Sequence, residues 1–184
     1  MSKSVSQKAE PKYADPRAHA LRARYQATFG SHGIQVPVES ISEDLLGLRI
    51  EESWNLGDTS GLLIPAERLI VLNAAEHATG RNDPPLRRFR FTIAHELGHW
   101  ICHADENAEA PAVYCRHADL AHDADRSRER EANVFAAELL MPEAAVRDAW
   151  AESPDPESCA ARFDVSPTAM RWRLYSFGLA PEPM

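Results

Sequence analysis

Two histidines and a glutamate in the stretch F-T-I-A-H-E-L-G-H-W, residues 91–100, have the types and spacing of a metal site. His95 and His99 are four residues apart, which places both on one helix face with their β-carbons about 6 Å apart. Two imidazoles so placed can reach one ion at the zinc–nitrogen distance of about 2 Å. Glu96 lies one position round the helix, where a general base can take a proton from water on the metal. The spacing therefore predicts a hydrolytic metal centre.

The alternative interpretation is that this pattern arose by chance on an ordinary helix. Ile93, Leu97 and Ile101 form an apolar stripe that should bury the histidine-bearing helix in the core. Two adjacent buried histidines without a metal would lose their hydration with no compensating partner. The apolar stripe therefore favours the metal interpretation.

A catalytic zinc needs a third protein ligand and one open position. The stretch S-R-E-R-E-A-N-V-F-A-A-E-L-L-M-P, residues 127–142, is predicted to be a helix and offers three glutamates. Glu129 and Glu131 lie near its start and compete for the role, whereas Glu138 lies too far along. Acidic residues also suit the positive end of a helix without any metal. The residues alone leave the choice between Glu129 and Glu131 open.

Small residues should let the two helices approach closely. Glu129 shares its helix face with Ala132 and Asn133, three and four residues on, and Gly98 offers space on the first helix. Asn133 is then placed to form a hydrogen bond with a ligating histidine.

The order of predicted elements is helix, helix, three strands and then further helices, which indicates an α+β fold that is mostly α. Asp15-Pro16 and Asp83-Pro84 are helix-start patterns, and Ser40-x-x-Glu43 is a capping-box pattern. The segments L-G-L-R-I-E-E-S-W, G-L-L-I-P and R-L-I-V-L-N read as short strands of a small three-stranded antiparallel sheet. Residues 104–125 show no hydrophobic periodicity typical of a helix or a strand, and they are predicted to be a long loop.

Charge divides the chain into a short basic tail and an acidic fold. Residues 1–14 carry a net charge of +2, which leaves −10 on the rest because the 184-residue chain carries −8. We predict a disordered tail at 1–14, a domain with the metal site at 15–152 and a helical extension at 153–184 packed on it. The start has no apolar segment typical of a secretory signal and no run could span a bilayer, so a cytoplasmic location is expected.

The segment from Glu157 to Leu179 resembles a helix-turn-helix, which raises a DNA-binding regulator as a rival function. Its arginines are balanced by acids, whereas a major-groove reader normally carries a net basic face. Direct DNA binding is therefore disfavoured, and a structural or docking role is expected. A second rival is a binding protein with an intact but silent metal site, as in a toxin–antitoxin pair.

H-E-L-G-H together with E-R-E-A-N-V-F-A-A-E-L-L-M-P, residues 129–142, resembles the ImmA/IrrE family of zinc metallopeptidases. The resemblance implies a gluzincin-like core with His95, His99 and Glu129 on zinc and Glu96 as the base. The E-x-x-A-N spacing is similar to E-x-x-A-D in other zinc protease families and favours Glu129 over Glu131. Manganese is an alternative ion for such ligands.

The resemblance also implies a partner, a helix-turn-helix repressor whose cleavage induces a mobile-element or stress regulon. The chain is similar to the short members of the family, without the sensor-like domain. His103, Tyr114 and His117 are candidate oxyanion donors, and a sheet edge at residues 60–73 could hold an extended substrate by strand addition. The oligomeric state is not predicted.

Overall fold

The structure is a computed structural model, and it describes residues 14–31, 33–78, 85–104, 113–114 and 123–183. Nearly all of the predicted tail and most of the predicted loop at 104–125 lie outside these residues. The predicted domain boundaries at 14 and 152 stay predictions.

Eight α-helices are present in the described part of the chain. They are α1 Pro16–Phe29, α2 Val38–Ser40, α3 Ala74–Ala78, α4 Pro85–His99, α5 Asp123–Leu140, α6 Glu143–Glu152, α7 Pro156–Phe163 and α8 Pro167–Ser176. Two of them continue as π-helical turns, α2 through Ile41–Leu45 and α4 through Trp100–Ala104. The mostly helical α+β class is therefore confirmed.

Some helix starts match the predictions made from the sequence, and others do not. Asp15 caps α1, where its carboxylate accepts from the backbone N–H of Arg17 at 2.8 Å. The capping-box prediction at Ser40 is wrong, since Ser40 is already helical and its hydroxyl makes no capping bond. Helix α5 begins at Asp123, four residues before the predicted start at Ser127. The predicted loop at 104–125 is also interrupted by a short strand at Val113–Tyr114.

The sheet is mixed, so the prediction of an antiparallel sheet is wrong. Its strands are β1 Arg49–Ser53, β2 Gly61–Ile64, β3 Leu69–Asn73 and the two-residue β4 Val113–Tyr114, in the order β1-β3-β2-β4. The tight turn at Pro65–Glu67 makes β2 and β3 antiparallel, as predicted. Strand β3 then enters between β1 and β2, and it runs parallel to β1.

This strand order also changes the predicted substrate edge. Strand β3 is paired on both sides, and β2 is paired with β3 and with β4. The segment 60–73 is therefore internal in the sheet and is not a free edge.

Helices α4 and α5 lie at the centre of the molecule, and the sheet covers α4. The side chains that α4 and α5 contribute to the core are at most 6% exposed; they include Phe89, Ile93, Leu97, Phe135, Leu139 and Leu140. Burying each such side chain contributes about 1.5–3 kcal/mol. The two helices expected to carry the metal ligands are thus the most firmly packed part of the fold.

The last two helices are tied to both central helices by charged side chains. Asp164, in the turn between α7 and α8, forms ion pairs at 3.2 Å with Arg87 and with Arg90 on α4. Arg173 of α8 is 4% exposed and forms an ion pair with the buried Glu138 on α5. The C-terminal helices are therefore packed on the same core as the site.

Among the helices in the described part of the chain, none is long and apolar enough to cross a membrane.

Candidate metal centre

Helix α4 brings His95 and His99 onto one buried face, as the four-residue spacing predicts. The two rings are 7% and 1% exposed, and their Nε2 atoms are 3.0 Å apart. Both nitrogens therefore point to one place beside the helix.

Glu129 on α5 reaches the same place. Its Oε1 lies 3.1 Å from His99 Nε2, and its Oε2 lies 3.3 Å from His95 Nε2. Glu131 instead faces Arg17 at 3.5 Å and is about half exposed. Of the two competing glutamates, the fold brings Glu129 to the histidines and leaves Glu131 at the surface.

These three residues fit a metal ion. One ligand atom from each lies within 4.8 Å of the others. Ligand atoms at tetrahedral corners, about 2 Å from a zinc ion, are about 3.3 Å apart, which is close to the 3.0–3.3 Å found here. Two imidazoles and one carboxylate leave the fourth position open, as in catalytic zinc sites. The same donor set also accepts manganese.

The electrostatics of the cluster favour the metal-binding protonation state at two of the three ligands, Glu129 and His99. Burial disfavours the charged form of His95, but its hydrogen bond to Glu129 and the charge of Glu96 outweigh burial and raise its pKa. Burial alone would raise the pKa of Glu129, but its contacts with the two imidazoles outweigh burial and lower that pKa to about 2. Burial lowers the pKa of His99, so this imidazole tends to stay neutral. An ionised carboxylate and a neutral imidazole are the forms that bind metal.

Asn133 lies one turn beyond Glu129 and orients His95, as predicted. Its Oδ1 is 3.1 Å from His95 Nδ1, a distance at which the ring N–H donates to the amide oxygen. This tautomer leaves His95 Nε2 free of a proton, with its lone pair toward the cluster. Within the described residues, His99 Nδ1 is buried without a hydrogen-bond partner.

Close contact between α4 and α5 brings Glu129 within reach of the two histidines. A β-carbon at Gly98 would lie 2.9 Å from Ala132 Cα and 3.0 Å from its carbonyl oxygen. Only glycine permits this spacing, so Gly98 and Ala132 set how near Glu129 comes to the histidines. The sequence indicated this small-residue contact correctly.

Glu96 is fully buried beside His95 on α4. Strand β2 crosses over it, and a β-carbon at Gly61 would lie 3.0 Å from Glu96 Oε1. Sequence reasoning missed Gly61, although a glycine in an apolar strand often marks a close approach.

The structure describes the side chain of only one of the three candidate oxyanion donors. His103 lies one turn after His99 and its ring centroid is 5.6 Å from that of His99. The side chain of Tyr114 and the whole of His117 lie outside the described residues. His103 is thus placed next to the cluster, and the other two stay predictions.

The arginines of the C-terminal helices are already paired. Arg162 and Arg171 form ion pairs with Glu152 and Glu157, respectively, and the third, Arg173, is buried. Sequence reasoning counted Arg173 only among the arginines balanced by acids and did not find its role in the core. Its signal is weak, because arginine is almost never fully buried unless it is paired.

Comparison with known proteins gives a structural relative and a family match. No curated protein matches the chain. A solved structure, described as a Mycobacterium tuberculosis transcriptional regulator, is similar with a TM-score of 0.58 and 20% sequence identity. The similarity covers 88% of this chain and 47% of that one, so the chain spans about half the length of the structure it matches. At this identity the likeness shows a shared fold.

A family match covers both central helices. The sequence profile of the IrrE N-terminal-like domain matches residues 44–175, a segment that includes His95, Glu96, His99 and Glu129. The resemblance noted from the residues is thereby confirmed. Since the match spans well over half of the chain, the protein belongs to the family of the IrrE N-terminal-like domain.

Proposed function

We propose that the protein is a zinc-dependent metallo-endopeptidase that cleaves a helix-turn-helix transcriptional repressor. The convergence of His95, His99 and Glu129 within 4.8 Å, beside the buried Glu96, supports this proposal most strongly. Two histidines on one helix and a glutamate on the next support a gluzincin-like arrangement.

Each residue has a definite part in peptide hydrolysis. His95, His99 and Glu129 would hold zinc, and a zinc ion in that place supplies Lewis acidity toward a carbonyl and makes water more acidic. Glu96 takes a proton from the attacking water at its carboxylate and passes it to the leaving amine. Asn133 holds the His95 ring by the 3.1 Å contact with Nδ1. Manganese in place of zinc would use the same ligands.

A donor for the developing oxyanion is still needed. His103 is the candidate within the described residues, because its ring lies next to His99 and its Nε2 is buried without a hydrogen-bond partner there. Such a donor would stabilise negative charge on the scissile carbonyl oxygen. Tyr114 and His117 are the alternatives.

The substrate class rests on the resemblance to the ImmA/IrrE family. Cleavage of a repressor would induce the mobile-element or stress regulon that it controls. An extended linker of such a repressor suits an endopeptidase, since strand addition presents a peptide bond in extended form. Because β2 and β3 are internal, strand addition would use a terminal strand of the described sheet, β1 or β4.

Direct binding to DNA is the weaker alternative. The three arginines of the last two helices are paired with acids, one of them in the core, and the chain carries a net charge of −8. Affinity for DNA depends on releasing counterions from phosphates, which requires unpaired cations. The C-terminal helices therefore suit a structural or repressor-docking role.

The test uses the zinc-loaded chain and a purified helix-turn-helix repressor, chosen from the products of genes that adjoin its own. Discrete repressor fragments, identified by mass spectrometry, are the expected product. Glu96→Gln should keep bound zinc and lose cleavage. Glu131→Gln is the matched control, since it makes the same chemical change on a half-exposed residue and should leave cleavage intact. Cleavage by Glu96→Gln at the normal rate would disprove the assignment of the base, and zinc-loaded chain without turnover would favour the silent-site alternative.

A further inference from the structure

Gly61 at the start of β2 faces the carboxylate of Glu96 with no side chain between them. A β-carbon there would overlap Thr92 Cγ2 and would lie 3.0 Å from Glu96 Oε1. Ordinary contacts between such atoms begin near 3.4 Å. The missing side chain therefore creates the space in which the Glu96 carboxylate lies.

The Gly61 backbone is held in place by Asn73 at the end of β3. The Asn73 amide donates to the carbonyl oxygens of Gly57 and Thr59, at 2.9 and 2.8 Å. The backbone N–H of Asn73 also donates to the carbonyl of Ser60 at 3.0 Å. Asn73 is 1% exposed, so these bonds are shielded from water and hold the segment that leads into β2.

Thr92 is held from the other side. It lies one helical turn before Glu96, is 7% exposed, and donates from its hydroxyl to the carbonyl of Arg88 at 3.1 Å. This bond selects the rotamer that turns the methyl group toward Gly61. A β-carbon at Gly61 would therefore meet both the Thr92 methyl and the Glu96 carboxylate, and rotating the Thr92 side chain would break its hydrogen bond to Arg88.

We propose that Gly61 is a positioning residue for Glu96. A side chain at this position would push the carboxylate away from the place where it exchanges a proton with the substrate. This inference rests on the proposed role of Glu96, because displacement matters only when the carboxylate acts beside the metal. The contact would shift Oε1 by a few tenths of an ångström, and proton transfer is sensitive to small misplacements of the groups involved.

Acetohydroxamic acid is a suitable probe, since it binds zinc and shares its acidic proton with a neighbouring carboxylate in a strong hydrogen bond. Its dissociation constant is measured on zinc-loaded protein by calorimetry, so no identified peptide substrate is needed. All variants carry Thr92→Ser, which keeps the hydroxyl bond to Arg88 and removes the methyl group that would overlap a new β-carbon. The remaining conflict then involves Glu96 alone.

The experiment is a double-mutant cycle of Gly61→Ala and Glu96→Ala in that background. With Glu96 present, Gly61→Ala should weaken hydroxamate binding about tenfold, and with Glu96→Ala the same change should have less than about a twofold effect. Zinc content should be unchanged in every variant. A purely structural effect of alanine would weaken hydroxamate binding equally with Glu96 and with Glu96→Ala, and that result would overturn the positioning role. Unchanged binding with Glu96 present would overturn it as well.

A second variant covers the case in which Gly61→Ala prevents folding. Asn73→Ala frees residues 57–60 without adding an atom near Glu96, and the same coupling to Glu96→Ala is expected. Absence of coupling there overturns the proposal. Failure of the wild-type chain to bind zinc would overturn the proposed function and the positioning role together, whereas zinc binding without coupling overturns the positioning role only.

Discussion

Replacing Gly98 with alanine tests whether the spacing of α4 and α5 sets the metal centre. The new β-carbon would lie 2.9 Å from Ala132 Cα, whereas carbon atoms pack best at about 3.5–4.0 Å. The helices must therefore separate by about 0.6–1 Å at this contact. Glu129 lies three residues before Ala132 on α5, so its carboxylate moves away from the histidines with the backbone.

Two opposing effects set the change in stability. Overpacking in a core costs typically about 1–3 kcal/mol, while alanine in place of glycine inside a helix contributes about 1 kcal/mol. The free energy of unfolding of the metal-free protein should fall by about 0–2 kcal/mol. Zinc affinity should fall much more, by about tenfold or more, because ligand distances tolerate only about 0.2 Å.

The assay combines zinc titration against a competing chelator with urea unfolding of the metal-free protein. Ala144→Gly, on the exposed face of α6, serves as the control and measures the alanine–glycine difference in a helix of this protein. Adding Ala132→Gly to Gly98→Ala should not restore zinc affinity, because the nearest atoms are the backbone Cα and carbonyl oxygen. If Gly98→Ala kept zinc affinity within about twofold of wild type and stabilised the metal-free protein by about 1 kcal/mol, the claim that close helix spacing sets the metal centre would be refuted.

Three further predictions concern the third ligand, the C-terminal helices and the first helix cap. Glu129→Gln should weaken zinc binding by more than about 100-fold, and Glu131→Gln by less than about twofold, in calorimetric titrations; the reverse ranking would make Glu131 the ligand. Arg173→Ala should lower the free energy of unfolding by about 3 kcal/mol, because it breaks a buried ion pair. Arg171→Ala breaks an exposed pair and should lower it by less than about 1 kcal/mol, so equal effects in urea unfolding would contradict the buried network. Burial raises the pKa of Asp15, but hydrogen bonds from the neighbouring guanidinium and backbone outweigh burial and lower it. A lowered folded-state pKa contributes stability above the unfolded value of about 4 and loses it as the pH falls through the folded value. Asp15→Asn should therefore remove part of the acid dependence of the free energy of unfolding. Equal changes in this free energy for the variant and the wild type between pH 7 and pH 3 would contradict this.

The histidines and Glu96 could be predicted from sequence because their relation is local. A spacing of four residues on an apolar helix determines a shared face without reference to the rest of the chain. The start of α1 was predictable for the same reason, since Asp15 and Pro16 act on the first turn directly. The sheet was not, because the pairing of β3 between β1 and β2 depends on contacts between distant residues.

The choice of the third ligand shows where local reasoning ends. Glu129 and Glu131 are two residues apart on one helix, so they point in different directions. Their positions alone allow either to face the histidines, and only the family resemblance favoured Glu129. The contact of Gly98 with Ala132 decides between them, because it sets which side of α5 meets α4. The result is a carboxylate at 3.1–3.3 Å from two imidazole nitrogens.

The sequence by itself determined the chemistry of the site: two imidazoles on one helix face, a neighbouring carboxylate and a family resemblance carried by two short segments. Only the tertiary structure decided which glutamate joins them, that Arg173 lies in the core, and that Gly61 lies against Glu96. Helical periodicity acts over four residues, whereas these three outcomes depend on how separate elements pack. Packing is determined by side-chain shapes from several segments at once, which no single segment specifies.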